Sequence, residues 1–263
     1  MGNIRIALLN IKKNFKNEKE LKASFLITVF GMAINNIAFL LLWYYFGKTV
    51  GELNGWKAID IFGLYAFTSG SFGLVTAFLG GIINIPQYIS SGTFDKYLLT
   101  PKNILVKVST SKIVNSALGD ALFGLICLII YSVGAKLSFI QILVSLYLIL
   151  IACVVYYSFS LISMSVSFYL MDGSNVSQGL WNMFVSNSLY HGGAFTGILR
   201  IVFMFAIPSL LVGAVPVEII KNLSLGNILF LTGMAAIWLI AAISFFYKSL
   251  KKYESNNLFG FGV

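Results

Sequence analysis

Apolar residues fill this chain in long blocks separated by short polar breaks, and six blocks stand out: 23–46, 61–83, 113–133, 142–170, 196–215 and 228–247. A hydrocarbon core of about 30 Å takes roughly 20 residues of helix to cross, so each block predicts a transmembrane span. Barrel strands would be about ten residues of alternating pattern, which these unbroken runs do not show. The expected fold is an all-α integral membrane protein of six helices, one domain over 1–263 with its bundle over 23–247. At about 1.5 Å per residue the fourth block is too long for a perpendicular crossing and has to tilt or project. The first block starts more than twenty residues in and no small-residue cleavage pattern follows it, so it is expected to stay as a span.

The segments between the blocks have patterns of their own. Over 1–22, Ile4, Leu8, Ile11 and Phe15 recur at helical spacing while lysines occupy the remaining arc. That pattern predicts an amphipathic helix lying on the membrane surface. Between the second and third blocks, Pro86 suits a first helical turn, Gly92 a stop, and Thr93 a cap for a second turn over 95–99 that Pro101 breaks. Two short helices there would form a bracket. The stretch 171–190 carries Asp172, Asn175, Gln178, Asn182 and Asn187 and reads as an interfacial linker. Pro208 interrupts the fifth block, and Pro216 opens a short piece with Glu218 where a helix N-terminus favours an acid, so a hairpin dipping back from the outer face is expected. No internal repeat is evident, which argues against carriers built from inverted repeats.

Charge sets the orientation. The net charge is +9, yet only 10% of residues are charged and 58% are hydrophobic. With the N-terminus in the cytoplasm, fourteen lysines and arginines fall inside: six in 1–22, Lys96, Lys102, Lys107, Lys112, Arg200, and three in the tail 248–263. Lys48, Lys57, Lys136 and Lys221 fall outside. This asymmetry predicts both termini in the cytoplasm and a multi-pass protein of the cytoplasmic (inner) membrane. The basic excess is thereby assigned to topology, with lipid and not nucleic acid as the partner it implies.

Candidate chemistry is sparse. There is no GxxxxGK[ST] loop, so no P-loop ATP site is expected, and a lone histidine, His191, gives no multi-histidine metal site. Gly192, Gly193 and Gly197 read as a flexible linker, and Cys127 and Cys153 as small apolar side chains within spans. Asp120 is the acid set well inside a span, where an ionisable group costs at least about 2.5 kcal/mol and has to face protein or a wet cavity. Asn115, Ser116 and Lys112 lie on or beside its helical face. Asn35 and Asn36 sit mid-span, suited to interhelical hydrogen bonds or to substrate. These polar residues, Asn35, Asn36, Asn115, Ser116 and Asp120, are the substrate-path candidates, with packing as their alternative role. The glycines at 70, 73, 80 and 81 and the serines at 158, 160, 163, 165 and 167 predict close helix packing.

Two segments carry a family resemblance. ISSGTFDKYLLTPKNIL, through Ile89, Gly92, Phe94, Asp95, Leu98, Leu99 and Pro101, resembles the "I..G.LD..L.RP...L" signature of ABC-2 type permeases, in particular the daunorubicin-type export branch. Later, Tyr190, Phe195, Gly197, Leu199, Arg200, Ile207, Pro208 and Pro216 resemble the family's "YP...F.G.LR.....IP.......P...L" region, with Thr100 and His191 departing from its arginine and proline. The resemblance implies six spans and a cytoplasmic coupling helix that seats a separate ABC ATPase through Gly92, Phe94, Asp95, Lys96, Leu98, Leu99 and Pro101. In that reading Phe94 and Leu98 are apolar anchors. It also implies a second permease subunit, identical or related, and ATP with Mg held by the partner ATPase, no cofactor being bound by this chain and no catalysis performed by it. An ion-coupled carrier using Asp120 and a non-transporting scaffold or sensor subunit remain alternatives.

Overall fold

The structure, a computed structural model, describes residues 22–99, 103–170 and 173–253. The amphipathic helix expected over 1–22 thus lies almost wholly outside the described residues, as do Pro101, Asp172 and most of the tail. Helix α1 spans Lys22–Val50 and α2 spans Asp60–Leu79, continuing through a 3-10 turn (Gly80–Asn84) into α3, Ile85–Ser90. Two short helices follow, α4 (Asp95–Leu98) and α5 (Ile104–Ser109), then α6 (Ser116–Gly134) and α7 (Phe139–Ser165). The chain ends with α8 (Gly173–Ser188), α9 (Gly197–Ile201, running on as a π-helical turn, Val202–Ala206), α10 (Ala214–Lys221) and α11 (Leu225–Leu250). No β-strand occurs among the described residues.

Among the described residues, five helices are long and apolar enough to cross a membrane: α1, α2 with its continuation, α6, α7 with its continuation, and α11. Each matches an apolar block to within a few residues. The fifth block, 196–215, does not form one helix. Its first half is α9 and its second half is a turn over 207–213 leading into α10. The apolar character there serves protein burial, because Leu210, Leu211, Val212, Ala214 and Val217 all pack into the main core. The stretch read as a linker, 171–190, is mostly the regular helix α8.

Packing at the centre depends on missing side chains. A Cβ on Gly73 would lie 2.2 Å from the backbone nitrogen of Ala121, and one on Gly124 would lie 2.4 Å from that of Gly70. Helices α2 and α6 are therefore in backbone contact along this crossing, which dispersion forces favour in lipid, where no hydrophobic effect drives helices together. The buried serines of α7 fit the same logic. Ser158 and Ser165 donate to the carbonyls of Val154 and Leu161, each at 2.6 Å, so their hydroxyls are satisfied on their own helix.

The bundle has two distinct ends. At one, α3, α4 and α5 form the bracket, three short helices where the sequence suggested two. They close over a core of Ile82, Ile85, Phe94, Val108, Met164, Phe168 and Phe246. Thr93 does not cap α4, its hydroxyl instead meeting that of Ser91 at 2.8 Å. At the other end, the 51–59 loop, the start of α7 and the α9–α10 hairpin meet. Ser138 and Gln141 form a reciprocal capping box on α7, and Gln141 Nε2 also donates to the carbonyl of Ile220 at 2.8 Å, which ties α10 to that helix start.

Candidate functional site

Asp120 sits on the second turn of α6 with 4% of its surface exposed. Its Oδ1 accepts a 2.5 Å hydrogen bond from Asn36 Nδ2 on α1, and its Oδ2 is buried without a hydrogen-bond partner. Both side chains open on a cavity of about 120 Å³ where α1, α2, α6, α7 and α8 converge. Thr68, Ser69 and Ser188 supply hydroxyls to its wall, and Phe72 and Tyr156, edge to face with centroids 5.5 Å apart, supply aromatic surface. Of the five substrate-path candidates, the structure brings Asn36 and Asp120 together. Asn35 points outward and is exposed. Asn115 and Ser116 lie at the start of α6 outside the lining, and Lys112 turns away to Asn84 Oδ1 at 3.4 Å. Sequence reasoning missed the hydroxyl wall, although the adjacent polar pair Thr68 and Ser69 inside an apolar block was a visible signal.

At the bracket, Gly92 has φ +67, which a Cβ would disfavour, and this lets the chain reverse between α3 and α4. Phe94 was expected at the surface but is fully buried, packed against Phe168 and Tyr253 at 5.3 and 5.1 Å between ring centroids. Leu98 and Leu99 are exposed, Leu99 at 83%. Lys96 lies over the rings of Tyr88 and Tyr97, and Asp95 accepts a 2.8 Å bond from the Tyr253 hydroxyl.

The hairpin end is held by charge. Arg200 on α9 grips Glu218 on α10 with two parallel hydrogen bonds of 3.0 and 2.5 Å, which places Glu218 opposite an arginine and not at its helix N-terminus. Pro208 lies buried in the turn, and Pro216 in the first turn of α10. Beside this pair is a second cavity of about 240 Å³, bordered by Arg200, Glu218, Asn227 and Phe230. Lys221 bridges Asp60, at 2.6 Å, and the carbonyl of Gly55. Next to them His191 is buried against Trp56, and its Nδ1 accepts from the backbone of Gly193 at 3.1 Å. Burial lowers its pKa from the ordinary value, opposed by nearby Asp60 and aided by Lys221. No cluster of three metal-ligating side chains occurs among the described residues.

This is a lipid-embedded helical bundle with a polar pocket at its centre, a folded bracket at one end and an ion-paired hairpin at the other. A family model described as ABC-2 family transporter protein matches residues 33–257. The chain belongs to the ABC-2 transporter family. No curated protein and no solved structure matches it. The match takes in the bracket, the pocket and the hairpin, so all three are parts of a transport permease, the membrane component of an ABC transporter. An ABC ATPase is the general partner such a permease has.

Proposed function

We propose that this permease is the membrane subunit of an ATP-driven exporter in the cytoplasmic membrane. It works as a pair, with a second copy or a related permease, and each member seats a separate cytoplasmic ATPase that holds ATP and Mg. The motif residues from Ile89 to Leu99 favour the daunorubicin-type branch. The observation that carries the reading is a polar stripe on α8. Asn175, Gly179, Asn182 and Ser186 recur at helical spacing and are all exposed. In a bundle otherwise coated with exposed leucine, isoleucine and phenylalanine, amides turned toward lipid would be costly, so this stripe suits a watery path between paired subunits.

In this reading α8 is a sixth crossing. Its first residue packs on Ser167 beside the bracket core, and its last leads to His191 against Trp56 at the opposite end. Sixteen helical residues cover about 24 Å. The α9–α10 pair then enters from the outer face and returns, which leaves both termini on the bracket side. Arg200, bound to Glu218, moves to the outer side, and the lysine and arginine balance becomes thirteen inside to five outside, still a strong inward bias.

Leu98 and Leu99 offer the ATPase an apolar contact with Lys96 beside them. ATP-driven closure of the paired ATPases displaces the two brackets, and the bundle responds because the two packings bind the ATPase unequally. The test is expression with the neighbouring genes and purification through a tag on this chain. An ABC ATPase should co-purify, and transport should persist when the proton gradient is collapsed. Transport that stops with the gradient, with no ATPase bound, would instead support an ion-coupled carrier using Asp120.

A further inference from the structure

We propose that the cavity at Asp120 is a binding site for an ammonium group, so that the molecules this permease handles include amphiphilic amines. The inference rests on the export reading only in treating the bound amine as cargo. Among the described residues, two other acids at the bundle surface or ends are held by cations: Asp60 by Lys221 and Glu218 by Arg200. Asp120 is in neither pair, although it is far more buried than Glu218. Asn36 donates to one carboxylate oxygen, and the other oxygen, on a residue that lines the cavity, is buried with no hydrogen-bond partner. Isolated charge of this kind is costly inside a membrane protein, and a ligand cation removes the cost while gaining a charge-assisted hydrogen bond.

The remaining walls suit the same guest. Thr68, Ser69 and Ser188 offer hydroxyl oxygens that accept from an N–H donor, and Phe72 and Tyr156 add aromatic rings, whose quadrupoles attract a cation. A volume of about 120 Å³ matches a few waters or one alkylammonium head. Met32 and Val185 give apolar surface on which the carbon stem can lie. An anion of the same size would meet the Asp120 carboxylate and be rejected, which gives the site selectivity by sign.

The test uses the full chain in nanodiscs of phosphatidylglycerol, a lipid without an amine. Butylammonium, butanol and butanoate share a carbon stem and differ in head charge, and saturation-transfer NMR reads their weak binding against empty discs. Butylammonium should bind saturably and the other two should not. Asp120→Asn should weaken that binding at least about tenfold, the scale of one charge-assisted hydrogen bond. Val185→Phe, which fills the cavity and leaves the carboxylate in place, should do the same and decides the matter if Asp120→Asn does not fold. Equal binding of all three probes, or butylammonium binding retained in the folded variants, overturns the proposal. Adding phosphatidylethanolamine separates the sources of the ammonium: competition with butylammonium marks a lipid headgroup, and undisturbed binding marks a free amine. ATPase capture through the bracket does not involve this cavity, so the site and the export reading fail independently.

Discussion

One methyl group tests the close approach of α2 to α6. Gly73→Ala would drive a Cβ into the backbone of α6 at Ala121, with no flexible side chain to yield, and the two helices would have to separate. Overpacking of this kind costs about 1–3 kcal/mol, so the purified variant should melt at a clearly lower temperature. Gly233→Ala on α11 meets nothing within 4 Å and should be neutral or stabilising by up to about 1 kcal/mol. The sequence displayed Gly73 as a candidate for close packing, but nothing in it distinguished the jammed Gly73 from the free Gly233. That difference depends on which helix lies opposite. His191 supplies a second residue-scale test. Because burial holds its folded pKa below the unfolded value of 6.5, the neutral ring contributes stability fully above that pH, and the contribution is lost as pH falls below it. Thermal stability should therefore drop between pH 7.5 and 5.5, and His191→Gln should flatten that drop.

At the scale of elements, the bracket separates two roles that the motif fuses. Phe94 and Leu98 look alike as apolar residues in a cytoplasmic turn, yet Phe94 points into the bracket core and Leu99, one residue past Leu98, is the most exposed large apolar residue of this segment. Phe94→Ser should destabilise the protein itself, lowering its melting temperature, by the roughly 3 kcal/mol or more that truncating a buried aromatic costs. Leu99→Ser should leave the melting temperature unchanged and reduce the yield of co-purified ATPase. Equal loss of ATPase and of fold in both variants would refute the division. The α8 and α9 segments show why apolarity alone did not mark where the long regular helix lies. Hydropathy reports contact with anything apolar, and the 207–217 stretch finds that contact in the protein core. Helix α8 carries amides at Asn175 and Asn182 on one exposed face while Phe184 and Trp181 pack inward, so its average looks like a linker although its 3.6-residue period was there to read.

For the whole molecule, the charge asymmetry and the positions of the two ends make one prediction. Cysteines placed at Glu52 and Lys136, both exposed at the hairpin end, should react with an impermeant thiol reagent in intact cells, and those at Lys112 and Lys252 should not. Labelling at Lys112 from outside would invert the arrangement. Five of the six apolar blocks, the bracket and the membrane character were legible in the sequence because each depends on local composition or short-range punctuation. The pocket was half legible. Asp120 and Asn36 declared themselves by being polar in apolar blocks, but their 84-residue separation hid that they form a pair.

The phenol of Tyr253 gives the molecule a mechanical property. It lies just past the end of α11, hydrogen-bonded to Asp95 and packed at a tilt against Phe94, so the bracket is fastened to one tip of that helix. Twenty-six residues of α11 make a rod of about 39 Å whose other tip adjoins α10 across a three-residue joint. In the complex proposed above, a tug on the bracket by an attached motor would arrive at the far side of the bilayer as a displacement of the hairpin's foot, a push-rod running the height of α11. A mutation that loosens the fastening, such as Tyr253→Ala, should leave the motor docked and burning ATP while the outer door no longer follows it.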